Sequence, residues 1–102
     1  MQTQIKTTTS NPVKPDVMHC KTWQSLKSKY NHTIVLLRIE EHYITFDTDA
    51  FLLSSITGLE AIECDELKLQ CFFPFNQLDV YLHKLVRAGH RVAICDQLVS
   101  PT

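Results

Sequence analysis

Residues 76–96 read N-Q-L-D-V-Y-L-H-K-L-V-R-A-G-H-R-V-A-I-C-D and join a helical pattern to a strand pattern through one glycine. Apolar side chains recur at spacings of three and four along the first half, which predicts an amphipathic helix. Asn76 is a good cap for its start and Gly89 for its end. The apolar run at 92–95 then predicts a strand. A helix followed at once by a strand indicates a fold that mixes the two.

A second pair of patterns lies upstream of this stretch. Residues 34–39 form a short apolar run rich in β-branched side chains, which is typical of a strand buried on both faces. Residues 42–46 alternate with a period of two and predict a second strand. Because only Glu40 and Glu41 connect the two runs, we expect an antiparallel hairpin.

The remaining segments continue the alternation of helices and strands. Asp16 caps a predicted helix of about 13 residues, whose apolar side chains recur along one side. Residues 47–49 (Asp-Thr-Asp) supply the cap of a short helix that ends at Gly58. Residues 59–64 and 67–73 then predict a second antiparallel hairpin.

The predicted order is therefore α-β-β-α-β-β-α-β. This order indicates an α/β fold, in which about three helices flank a mixed β-sheet. We expect residues 16–102 to form this single domain, since 102 residues suffice for one domain. Residues 1–15 are polar and cannot offset their own ordering entropy, so we expect a flexible tail there.

Composition and charge exclude several classes of protein. The formal charge of −1 argues against binding nucleic acid or anionic membranes by bulk charge. The sequence has no apolar run of roughly 18 residues and no signal-peptide core, so we expect a cytoplasmic protein. The four cysteines show no C-x-x-C spacing, and we interpret them as reduced, mostly buried thiols.

The residues that carry chemistry form no catalytic or cofactor motif. The five histidines are scattered, and a metal site built from His19, Cys20 and a distant cysteine is only a minor alternative to a plain helix start. Neither a nucleophile motif nor a glycine-rich phosphate loop is found. The acidic pairs at 40–41 and 65–66 fall at predicted turns, where solvated carboxylates are expected. We therefore expect no enzyme, no metal and no cofactor.

Basic side chains gather at two places along the chain. They lie on the first helix (Lys21, Lys27, Lys29) and around the end of the third (Lys84, Arg87, Arg91). Either group could contact phosphate. The favoured interpretation is that they complement the helix dipoles and keep the outer faces soluble.

The helix–strand segment at 76–96 and the residues just before it also carry a resemblance to a known family. Residues 74–76 (Pro-Phe-Asn) lead into residues 81–89 (Y-L-H-K-L-V-R-A-G) and residues 92–97 (V-A-I-C-D-Q). These strings resemble the N-terminal, mismatch-recognising domain of the MutS DNA mismatch repair proteins. The order and spacing of residues within 26–50 fit the same family, so the resemblance covers about residues 17–97. It implies an α/β fold.

The resemblance also implies a binding site on the first hairpin. Family members carry Gly-Asp-Phe-Tyr-Glu, whose Phe inserts beside a mispaired base and whose Glu hydrogen-bonds that base. Residues 40–44 (Glu-Glu-His-Tyr-Ile) correspond to this motif. His42 takes the Phe position and can still stack on a base. Ile44 takes the Glu position and cannot form the hydrogen bond, so the mismatch-reading motif is degraded.

Two functions follow as expectations. The first is a stand-alone MutS-like domain that binds DNA weakly, at distorted or unpaired sites, through His42 and Tyr43. The alternative is a regulatory module that keeps the fold without DNA binding and contacts a protein partner, as the acidic residues Glu60, Glu63, Asp65 and Glu66 suggest. The family's ATPase parts have no counterpart in these residues, so we expect no nucleotide binding. We also expect no membrane contact, since no apolar run is long enough to span a bilayer.

Overall fold

The computed structural model of the protein describes residues 15–96, and these form a mixed sheet with three helices, which confirms the predicted α/β class. The helices are α1 (Val17–Lys29), α2 (Asp47–Thr57) and α3 (Leu78–Arg87). The strands are β1 (Ile34–Ile39), β2 (His42–Phe46), β3 (Ile62–Cys64), β4 (Lys68–Pro74) and β5 (Val92–Asp96). The predicted tail at 1–15 lies almost wholly outside the described residues.

The sheet has the order β3-β4-β2-β1-β5. Strands β1 and β2 form the predicted antiparallel hairpin, and β4 pairs antiparallel with both β2 and β3. Strand β5 returns through α3 and pairs parallel with β1. Strand β1 lies between two other strands, and helices cover both of its faces. Its first four residues are therefore at most 2% exposed.

Two hydrophobic cores lie on opposite faces of the sheet. On one face, α1 places Cys20 and Trp23 against apolar side chains of β1 and β2. On the other face, α2 and α3 supply Ala50, Leu53 and Leu85. The alternating side chains of β2 therefore serve both cores, which fixes the register of this strand.

The predicted start of α1 is confirmed in detail. The His19 N–H donates to Asp16 Oδ1 at 2.9 Å, and the Asp16 N–H donates back to His19 Nδ1 at 3.1 Å. This reciprocal capping satisfies two helix-end groups, so His19 acts here as a helix-start residue. Further along, the Trp23 indole N–H donates to Val35 O at 2.9 Å and ties α1 to β1.

The predicted N-terminal caps of the other two helices were wrong. Phe46 precedes α2, without a side-chain cap, and Asp49 lies inside the helix with its carboxylate turned to other partners. A 3₁₀ turn, Phe75–Gln77, precedes α3, so the cap position falls on Gln77 rather than Asn76. Gly58 ends α2 in the left-handed conformation, as predicted.

The strand predicted at 59–64 is shorter in the structure. After Gly58, the chain stays attached to α2, because Ser54 Oγ donates to Leu59 O at 2.6 Å and the Leu59 N–H donates to Thr57 Oγ1 at 3.2 Å. Sheet pairing begins only at Ile62. The four cysteines are free thiols in the structure; Cys20 and Cys71 are buried, whereas Cys64 and Cys95 are half-buried.

Candidate nucleic-acid interface

The candidate site lies at the end of the sheet where β1 turns into β2. Glu40 and Glu41 form the turn, both side chains are exposed, and His42 follows as the first residue of β2. His42 faces Pro74 across the β2–β4 pair. The site is therefore a corner made by the first hairpin and by the end of β4.

His42 is half-buried and held by one aromatic neighbour. Its ring meets the Phe72 ring edge-on, with centroids 5.6 Å apart and an interplanar angle of 89°. This geometry is favourable for two aromatic rings. The residue is partly exposed at this end of the sheet.

Tyr43, predicted to act beside His42, lies on the other face of the sheet. Its side chain is only 5% exposed, and its ring is tilted against Phe73 with centroids 5.9 Å apart. Its hydroxyl donates to Asp96 Oδ1 at 2.8 Å. Burial first, and the bond to Asp96 second, raise the pKa of the Tyr43 hydroxyl, which favours the protonated donor. The structure thus separates the two predicted site residues, and Tyr43 ties β2 to the end of β5.

Ile44 shares the face of His42 but is fully buried. It belongs to the core beneath α1, with Trp23, Leu37 and Phe46. Position 44 therefore supplies apolar packing and cannot offer a polar group to a base.

Two residues that the sequence analysis did not single out as site residues complete the corner. The Arg38 guanidinium carbon lies 4.0 Å from the centre of the Phe75 ring, and Arg38 Nε donates to Glu40 O at 2.8 Å. The Phe75 N–H donates to Glu41 O at 2.9 Å. A cation over an aromatic face is attractive, so Arg38 braces the turn. Its signal in the sequence was an arginine that interrupts an apolar strand two residues before the turn.

The turn itself carries strain and negative charge. Glu40 has φ 56°, a left-handed conformation that disfavours a residue with a Cβ atom. The other acidic turn, with Asp65 and Glu66, joins β3 to β4 at the opposite end of β4 from Pro74. Of the two acidic turns, the one at 40–41 is therefore the one beside His42.

Lys27 and the basic residues of α3 lie away from His42. Lys27 Nζ donates to Thr33 O at 2.6 Å and to Asp49 Oδ1 at 2.9 Å, so its charge is already paired. Lys84 and Arg87 occupy the last turn of α3, where they complement the helix dipole. That turn leads to the start of β5, and β5 runs parallel to β1, so these cations lie at the end of the sheet opposite the hairpin turn.

Other kinds of site find little support in the described part of the chain. Residues 15–96 contain no group of three or more His, Cys, Asp or Glu side chains placed to hold a metal ion. Within the same residues, no helix has the length and apolar character needed to cross a membrane.

Comparison with known proteins gives one consistent result. The MutS domain I family matches residues 18–102. The DNA mismatch repair protein MutS of Bacteroides thetaiotaomicron is 41% identical over 85 residues, which cover 79% of this chain and 10% of that protein. MutS of Porphyromonas gingivalis is 44% identical over 80 residues (74% and 9%). MutS of Fervidobacterium nodosum is 36% identical over 81 residues (79% and 10%). The chain spans about a tenth of the length of these relatives.

Proposed function

Because this chain belongs to the MutS domain I family, we propose that it is a DNA mismatch repair-related accessory module that binds DNA weakly at distorted or unpaired sites. The proposed contact is stacking of the His42 ring on a base. The observation that carries this proposal is the position of His42 at the sheet end, where it is half-buried and in edge-to-face contact with Phe72. A partly exposed ring that packs against an aromatic neighbour is suited to contact an unstacked base.

The proposed module recognises distortion rather than the identity of a mispair. Since Ile44 is fully buried, the corner has no acceptor or donor at that position to read a base edge. Tyr43 contributes indirectly in this proposal, because its hydroxyl anchors β2 to Asp96 and so positions His42. Discrimination then depends on how easily a base unstacks.

Electrostatics make the binding weak. Glu40 and Glu41 are exposed at the turn where a phosphate backbone would approach. Arg38 contacts this turn through Glu40 O, and its guanidinium is already engaged over Phe75. Few phosphate contacts mean a low affinity with a shallow salt dependence.

A second function is favoured by the same two carboxylates. An acidic, solvent-exposed turn beside the exposed edge of Phe75, which is 37% exposed, suits a basic segment of a protein partner better than it suits DNA. In that case the family fold is kept as a regulatory interaction module, and the corner at His42 binds protein.

The experiment that tests the DNA function is fluorescence anisotropy with the purified chain. Labelled homoduplex, mismatched duplex, looped duplex and single-stranded DNA are titrated at about 50 mM and about 200 mM salt. We expect tighter binding to the distorted and unpaired probes. His42→Ala should reduce this binding at least fivefold, whereas His83→Ala, at an exposed position on α3, should leave it unchanged.

A matched pair of charge variants separates the local effect of the turn from that of net charge. Glu40→Gln should tighten binding, because it removes a charge beside His42, whereas Glu66→Gln at the other end of the sheet should not. Equal effects of the two variants would mean that net charge alone governs binding. If no probe binds at about 50 mM salt, the DNA function is wrong and the protein-partner function takes its place.

A further inference from the structure

The two edges of the sheet differ in how well they are protected against pairing. The β3 edge has only three residues, and Glu63 at its centre is exposed. Short edge strands with exposed charge are a common protection against strand addition. The β5 edge has five residues in continuous register with β1, with neither a proline nor a lysine among them. Among residues 15–96, no strand pairs with its outer side.

The hydrogen-bonding direction of β5 follows from one contact. The Ile34 N–H donates to Arg91 O at 2.9 Å, so the polar groups of Arg91 point toward β1. This direction alternates along a strand. The backbone N–H and C=O groups of Val92, Ile94 and Asp96 therefore point outward, away from the sheet. Ile94, at the centre of this set, is 38% exposed.

These outward groups are complementary to a second copy of themselves. If two β5 strands pair antiparallel about Ile94, each outward residue meets another outward residue: Ile94 meets Ile94, and Val92 meets Asp96. Each such pair exchanges both of its backbone hydrogen bonds. Antiparallel pairing also brings the basic start of one strand, Arg91, near the acidic end of the other, whereas parallel pairing would place like charges together.

We propose that two copies of this chain associate through their β5 edges, with β5 antiparallel to β5 and the two sheets joined into one. The interface is a two-fold one, in which the same surface serves both copies. A five-residue strand buries less than the roughly 1,200 Å² of a standard stable interface. The dimer is therefore a weak one that forms at protein concentrations of roughly 0.1 mM.

Sedimentation equilibrium between about 10 µM and about 1 mM tests this proposal. We expect a mass that rises from monomer to dimer over this range. Ile94→Lys places like charges directly opposite each other at the two-fold axis and should keep the chain monomeric. Val80→Lys makes a similar change at an exposed position on α3 (54% exposed) and should leave association unchanged. Circular dichroism confirms that both variants fold.

A cross-link tests the register. Ala93 and Cys95 direct their backbone groups toward β1. In the proposed dimer, Ala93 of one copy therefore lies opposite Cys95 of the other copy, and the two form no backbone hydrogen bonds with each other. The side chains of such a pair approach most closely. In Ala93→Cys, the new thiol should lie opposite Cys95 of the second copy. Diamide, which accepts the two hydrogens of the thiols, should then give a disulfide-linked dimer. The double variant with Cys95→Ser should not cross-link.

Two results would overturn the proposal. One is a monomer at about 1 mM. The other is a dimer that persists in Ile94→Lys, because association would then use another surface. A dimer that is lost in Ile94→Lys but is not cross-linked through Ala93→Cys would show that the edge is right and the antiparallel register wrong, which also contradicts the proposal as stated.

Discussion

Lys27 and Asp49 form an ion pair between α1 and α2, with Nζ and Oδ1 2.9 Å apart. The carboxylate is buried, and its second oxygen accepts the Val35 N–H at 3.0 Å. The ammonium also donates to Thr33 O. One pair thus connects both helices with the start of β1. Because α1 and α2 lie on opposite faces of the sheet, it also links the two faces.

Asp49→Asn should destabilise the domain by about 2–4 kcal/mol, because the bonds to a charged acceptor are lost and a buried amide group cannot satisfy both donors. The measurement is urea unfolding followed by the fluorescence of Trp23, the only tryptophan. Glu60→Gln, the same chemical change at an exposed position, should alter the free energy of unfolding by less than about 0.5 kcal/mol. An Asp49→Asn variant as stable as Glu60→Gln would show that this pair contributes no net stability.

Ile44→Glu should unfold the domain or destabilise it by about 3–5 kcal/mol, because it buries a carboxylate without a partner. The reason is that position 44 lies fully within the core under α1. Ile44→Val, which keeps the position apolar, should cost only about 0.5–1.5 kcal/mol. Thermal melts by circular dichroism compare the two. A stable Ile44→Glu variant would place this side chain at the surface.

Glu40→Gly should stabilise the domain by about 0.5–1 kcal/mol, since glycine adopts the left-handed backbone of this position without strain. Glu41→Gly makes the same change one residue later, where φ is not positive, and should destabilise slightly through the greater entropy of the unfolded chain. Differential scanning calorimetry of the two variants distinguishes relief of strain from loss of charge. Equal shifts in melting temperature would mean that charge is the cause.

Stability should fall as the pH rises from about 9 toward 11. Burial raises the pKa of the Cys71 thiol from 9.0 to about 11. The folded state therefore keeps the proton over a range in which the unfolded chain releases it, so the stabilisation is complete below pH 9 and is lost through pH 11. Urea unfolding at pH 8 and at pH 10.5 measures the loss. Cys71→Ala should show a smaller loss between these two values, while an unchanged pH dependence would rule out Cys71 as a contributor.

Local signals in the sequence predicted most of the fold. The cap at Asp16 was correct because its partner, His19, lies only three residues away. The cap predicted at 47–49 was wrong because Lys27, 22 residues distant, binds Asp49 in the folded chain. A pattern within one segment cannot report a partner brought in by tertiary packing.

At the candidate site, too, local patterns predicted which side chains share a face of the sheet, but not which of them are buried. Alternation along β2 placed His42 and Ile44 on one face, as observed. The burial of Tyr43 was not predictable, because it depends on Phe73 in β4 and on Asp96, which is 53 residues away. Strands with cores on both faces give no polar side that the sequence could identify.

The position of β5 also has a consequence for synthesis of the chain on the ribosome. Strand β1 needs β5 along one edge, yet β5 is the last element in the described order. A nascent chain that has not yet released residues 92–96 presents an apolar β1 with an open edge, a form that invites pairing with other chains. This edge of β1 is therefore covered only once residues 92–96 have emerged, and the exposed edge of the sheet then passes from the apolar β1 to β5.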